Sequence, residues 1–343
     1  MSAKRKKISL ALQGGGALGA YTWGALDFLL EDDRVDIAAI SGSSAGAMCA
    51  VAVADGFQRG GAAGARERLR KLWEAVARAG QANPYRRTPM NAFVNAFTPV
   101  WMQNSMAQWA DAASRLASPY DFNPLNINPL KDLVEELIDF ERVRACREIE
   151  LFIGATNVET GRARIFSTKE LTADHVLASA CLPQLFKAVE IDGVPYWDGG
   201  YTGNPALFPL FDVKATRDIL IVQINPIERP GAPRVATDIA ARVNEITFNA
   251  SLLRELRAIE FVGRLVDDAR VPEERYRKML IHVLNEDAAL RPLGVGVDLN
   301  TDMDFFEDLF AIGRAAAERW LKAHFDALGE RSSVDLRAMF QGG

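Results

Sequence analysis

Gly42-Ser43-Ser44-Ala45-Gly46 puts a serine at the centre of a G-x-S-x-G pentapeptide. Between a strand and a helix, such a pentapeptide holds its central hydroxyl exposed on a strained turn, as a nucleophile. Both flanking elements are predicted: Val35 to Ser41 reads as a strand and Ala45 to Val53 as a helix. Gly42 and Gly46 leave room for the turn and for close approach by the rest of a site. A serine that attacks an ester carbonyl creates an oxyanion, which needs preorganised N–H donors. Gly14-Gly15-Gly16 follows the apolar strand Ile8 to Leu12 and can aim bare amides at one point. A helix predicted over about Ala17 to Leu30 adds the positive end of its dipole. With Gly19 the same glycines spell G-x-G-x-x-G, the dinucleotide pattern. That pattern needs an acidic residue about 20 positions on. Ser41-Gly42-Ser43-Ser44 stands there instead, which disfavours a dinucleotide.

The serine also needs a base. His175, His282 and His324 fall in a helical stretch, an apolar strand and a late amphipathic helix. None lies in a glycine-rich loop of the kind that presents a catalytic imidazole. Asp198, in Val194-Pro195-Tyr196-Trp197-Asp198-Gly199-Gly200-Tyr201, is the better candidate. Its free pKa of about 3.9 makes a weak base, so burial beside Trp197 and Tyr201 has to raise it. Taken alone, Asp-Gly-Gly reads more readily as a plain turn.

Together the Gly14 to Gly19 loop, the elbow around Ser44 and the Asp198-Gly199-Gly200 triplet resemble the patatin-like phospholipases, in the family's order. Ala178 to Pro183 resembles the small-residue segment that precedes the family's aspartate loop. Leu18 departs from the pattern, because many members carry Lys or Arg there. The likeness covers about residues 6–212. It implies a lipid acyl hydrolase with Ser44 as nucleophile, Asp198 as base, Gly14, Gly15 and Gly16 as oxyanion hole, and no catalytic histidine, metal or organic cofactor. An acyltransferase using the same acyl-serine and a non-catalytic lipid-binding protein are the alternatives. The partner expected is a lipid or acyl-ester substrate, with peripheral contact to a membrane or lipid particle.

Around these residues the chain alternates strands and helices. Strands are predicted at Leu151 to Asn157, Ala163 to Ser167, Ile219 to Ile224 and Met279 to Leu284. The first two pair across the Glu159-Thr160-Gly161 turn. Helices are predicted over Arg66 to Ala79, Pro129 to Phe140, Val235 to Asp267 and Asp304 to Leu328. The alternation predicts an α/β three-layer sandwich with a mainly parallel central sheet. A catalytic core over 6–212 is followed at 213–343 by strands and helices that complete or flank the same domain. An insertion at 84–120 carries Phe93, Phe97, Trp101, Met102, Met106 and Trp109, a weak candidate for an acyl-chain pocket or lid and equally for core packing. The acidic runs Asn285 to Asp287 and Asp298 to Asp304 lack calcium-loop spacing and read as solvated loop.

Composition agrees with a globular enzyme. The 343 residues are 49% hydrophobic and 25% charged, with a net charge of −5 that argues against nucleic acid. Gln13, Asp27 and five glycines interrupt Ile8 to Leu30, so Lys4 to Lys7 does not begin a signal peptide or anchor. Cys49, Cys146 and Cys181 are odd in number and widely spaced. They read as free thiols, and a cytoplasmic location is expected.

Overall fold

The computed structural model describes residues 5–81, 118–123, 126–272, 276–293 and 300–341. Its centre is an eight-stranded sheet in the order β5-β6-β3-β2-β1-β7-β8, with β4 also paired to β3. The strands are β1 (Lys6–Leu12), β2 (Val35–Gly42), β3 (Glu150–Asn157), β4 (Ala163–Ser167), β5 (Val189–Ile191), β6 (Val194–Asp198), β7 (Asp218–Val222) and β8 (Leu280–Leu284). Strands β3, β2, β1, β7 and β8 run parallel. β3 to β6 is an antiparallel set, with β4 paired to β3 across the predicted turn.

Alternation along the strands explains the layers. In β1, Leu10 and Leu12 pack into one core while Ala11 joins the other; in β7, Leu220 and Val222 are separated in the same way from Ile219 and Ile221. The first core is covered by α1 (Gly19–Glu31), α2 (Ala45–Gln81) and α7 (Met303–His324). It also receives α3 (Pro129–Leu137), α4 (Phe140–Ala145) and α5 (Ala173–Ser179). The second is covered by α6 (Ala236–Asp267), a 3-10 turn at Phe208–Asp212 and α8 (Leu336–Gln341). The parallel sheet is therefore buried on both faces, as its continuous apolar strands require.

α1 and α7 cross at two glycines. A methyl group on Gly24 would lie 2.0 Å from the Phe310 carbonyl oxygen, and one on Gly313 would lie 2.0 Å from that of Tyr21. Only glycine permits backbones to approach this closely. The helices predicted over Ala45 to Val53 and Arg66 to Ala79 are the two arms of α2, which meet at a kink where Gly60 and Gly61 leave helical geometry. Gly61 takes φ 60°, which glycine adopts without strain. The acidic stretch is not all loop: Asp287–Leu290 forms a helical turn, and Asp304 sits in the first turn of α7 near its N-terminal dipole. Among the described residues no helix is long and apolar enough to cross a membrane.

Candidate active site

Strands β1 and β2 end side by side, with Leu12 opposite Gly42, so the glycine loop and the elbow leave the sheet together. Ser44 has φ 54°, an unusual conformation for a residue with a Cβ and the strained turn expected of such an elbow. The surroundings hold it there. Ser44 N–H donates to the carbonyl and the Oγ of Ser179, both at 3.1 Å. The Ser44 carbonyl accepts from Ala47 N–H and Met48 N–H in the first turn of α2. A methyl on Gly42 would meet the Gly46 backbone at 2.7 Å, and one on Gly46 would meet the Leu12 carbonyl at 2.3 Å. The two hydroxyls of the elbow differ. Ser43 is fully buried and donates to the Gly203 carbonyl at 2.6 Å, whereas Ser44 faces Asp198.

Asp198 ends β6 opposite Ala155 of β3, fixed by its N–H to the Cys181 carbonyl at 2.8 Å. The sequence reads this segment as a turn between apolar stretches. In the structure a two-strand hairpin, β5 and β6, delivers the aspartate from the antiparallel side of the sheet. Its side chain is completely buried. Oδ1 accepts from Gly200 N–H at 2.7 Å, and Oδ2 has no hydrogen-bond partner. Burial pushes the carboxyl up to about 7, against the smaller lowering effects of the Gly200 amide and the Ser44 hydroxyl. The Ser44 hydroxyl is thus close enough to act on Asp198 although no full hydrogen bond joins them, a looseness common in unliganded sites. Of the two following glycines, Gly199 has no room for a side chain and Gly200 is tightly packed. A methyl on Gly199 would fall 2.1 Å from the Gly154 carbonyl, and one on Gly200 would fall 3.0 Å from the Phe248 ring.

The glycine loop lies directly on the serine: a methyl on Gly14 would be 2.5 Å from Ser44 Cβ. Of the three amides expected to face an oxyanion, Gly14 N–H is already engaged, donating to Asn204 Oδ1 at 2.6 Å. Gly15 and Gly16 N–H have no partner among the described residues. They open a 3-10 turn (Gly16–Leu18) that leads into α1, and neither the turn nor α1 has a side-chain cap. These are the orphan donors of a helix start, at its positive end.

Four buried carboxamides hold this loop, and only the position of Gln13 beside the glycines hints at them in the sequence. Asn204 Nδ2 and Asn225 Nδ2 donate to the Gly14 carbonyl at 3.2 and 2.7 Å. Gln13 Oε1 accepts from the N–H groups of Ile224 and Asn225, both at 2.9 Å. Gln13 Nε2 donates to the Asn204 carbonyl and to Asn249 Oδ1. Asn249 donates in turn to the carbonyls of Asn225 and Pro226. Each member bonds another, so the network meets the condition under which buried polar groups rigidify a site.

The histidines are engaged elsewhere. His175 Nδ1 bonds Thr172, His282 bridges Asp218 and Ser333, and His324 lies against Trp320. Phe93, Phe97, Trp101, Met102, Met106 and Trp109 lie outside the described residues. No group of His, Cys, Asp and Glu among the described residues is placed to hold a metal ion.

Comparison with known proteins identifies the family. The family model for patatin-like phospholipases matches residues 10–211. No curated protein matches the chain. Among solved structures, VipD from Legionella pneumophila is similar at 15% identity, with 94% of this chain and 68% of that chain covered and a TM-score of 0.40. At that score the likeness supports no detail of the site.

Proposed function

The chain belongs to the patatin-like phospholipase family, and from that premise we propose that it hydrolyses lipid acyl esters through a Ser44–Asp198 dyad. The observation that carries the reading is the pairing of a strained Ser44 with a buried carboxylate whose Oδ2 has no other partner. With a pKa of about 7, Asp198 is a far better proton acceptor than a solvated aspartate and is still substantially ionised at neutral pH.

Ser44 Oγ attacks the ester carbonyl carbon while its proton passes to Asp198 Oδ2. The carbonyl oxygen becomes an oxyanion, stabilised by the N–H groups of Gly15 and Gly16 and the start of α1. Collapse expels the alcohol or lysolipid, which takes the proton from Asp198. Water then attacks the acyl-serine and gives a proton to Asp198. The fatty acid leaves as that proton returns to Ser44 Oγ. Three buried free cysteines suit a reducing compartment, and we place the enzyme in the cytoplasm.

The test is turnover of p-nitrophenyl acyl esters of several chain lengths. Ser44→Ala should remove turnover by roughly 10³-fold or more in a folded protein. Ser43→Ala, which removes only the bond to Gly203, should keep most of it. Wild-type rates in Ser44→Ala would end the proposal.

A further inference from the structure

The first half of α6 borders the candidate site on one side and presents an apolar stripe to solvent on the other. Phe248 packs on the Asp198 loop, with its ring edge-to-face on Tyr201 at 5.3 Å. Asn249 joins the carboxamide network, and Arg242 donates to the carbonyls of Pro226 and Ile227 in the loop after β7. This part of the helix therefore stands at the end of the sheet where the glycine loop and the Ser44 elbow emerge. Farther along, Leu252, Leu256 and Ile259 bury themselves beneath the sheet in the ordinary way. Ile239, Val243 and Ile246 do not. They are 45%, 54% and 54% exposed, and Val235, just before the helix, is 59% exposed. At about 100° per residue the three helical members fall within an arc of about 60°. They form one face beside the catalytic opening.

We propose that this stripe is the surface by which the protein docks on a neutral lipid interface, presenting Ser44 to acyl chains drawn from an assembled lipid. The inference rests on the dyad reading above and adds the physical form of the substrate. Two observations choose the occupant. The stripe exposes on the order of 350 Å² of apolar surface, below the roughly 800 Å² per partner of a stable protein interface. A shallow insertion into a lipid surface has no such requirement. The charge around it is also balanced. From Pro226 to Ala250 there are three acidic residues (Glu228, Asp238, Glu245) and three basic ones (Arg229, Arg234, Arg242). Glu245 is paired with Arg229 at 2.7 Å and with Arg242 at 3.0 Å. A surface attracted to anionic lipid would carry unbalanced lysine and arginine. This one is suited to zwitterionic or uncharged headgroups.

The experiment is flotation of the full chain with phosphatidylcholine vesicles, run beside turnover of soluble p-nitrophenyl butyrate. Wild type and Ser44→Ala should both bind the vesicles, with little change on adding salt or anionic lipid. Ile239→Asp with Val243→Asp should lower the partition coefficient about tenfold or more, because two charges enter the buried face. Turnover of the soluble ester should stay within about twofold, since neither residue touches the site. Thr247→Leu, which widens the stripe, should strengthen binding and guards against a misfolded double variant. No wild-type binding, or binding unmoved by these changes, overturns the proposal. So does a concentration-dependent dimer that the double variant dissolves, because the stripe would then seat a second copy. A wild type that binds vesicles but cleaves no ester would sink the dyad reading and leave the docking surface standing.

Discussion

Replacing Asp198 by asparagine should abolish activity and, separately, change how stability depends on pH. The carboxyl is fully buried, and its pKa rises from 3.8 to about 7 on folding. For an acid with a raised folded-state pKa, the folded protein holds its proton more tightly than the unfolded chain does. Stability from this group is therefore highest below about pH 4, falls as pH rises through the window between the two pKa values, and levels off above about 7. Between pH 5 and pH 8.5 the group loses its proton in the folded state across about two pKa units, a loss of about 3 kcal/mol. The Asp198→Asn variant has no such window. Its carboxamide keeps an oxygen for Gly200 N–H, and any fixed cost of the NH₂ group is the same at both pH values. Urea unfolding of both proteins at pH 5 and pH 8.5 isolates the effect, because other titrating groups cancel in the difference. The variant should gain about 3 kcal/mol relative to wild type between the two conditions. A relative stability that stays constant across that range would refute the raised pKa, and with it the argument that burial turns this aspartate into a base.

Three further outcomes follow from the same geometry. For a soluble ester, log kcat/KM should climb with pH at unit slope and level off near pH 7, as Asp198 ionises; a plateau reaching down to pH 5 would contradict it. Asn204→Ala removes the acceptor for Gly14 N–H and one donor to its carbonyl, so it should lower kcat roughly 10–100-fold with KM changed by less than about threefold. Saturating initial rates measure that split, and a change confined to KM would mean the loop does not depend on Asn204. Gly313→Ala drives a methyl into the Tyr21 carbonyl and should cost about 2–3 kcal/mol in thermal or urea unfolding.

Local sequence marked the Ser44 elbow and the Asp198 loop because each depends on short-range backbone demands. The elbow needs glycines at 42 and 46 and the aspartate loop needs one at 199, so composition marks both turns. The parallel strands were legible for a related reason: burial on both faces leaves continuous apolar runs such as Ile219 to Val222. What escaped depends on contacts between distant positions. Nothing near Gly14 says that its amide is taken by a residue 190 positions later. The β5–β6 hairpin, three and five residues long, is too short to announce itself. The exposed face of α6 was hidden because its apolar residues look like core until burial is known.

The separation between Gly14 and its clamp has a consequence for how the protein acquires activity. The serine and its elbow leave the ribosome well before Asn204, Asn225 and Asn249 do. Contacts spanning such sequence distances form only after the intervening chain has been organised. Until then the Gly15 and Gly16 amides have no fixed direction, and Asp198 has not yet been buried. A half-made chain would thus expose a serine with little power to attack. On the dyad reading, hydrolytic competence is then a property of the finished topology, set by the order in which the parts are spelled.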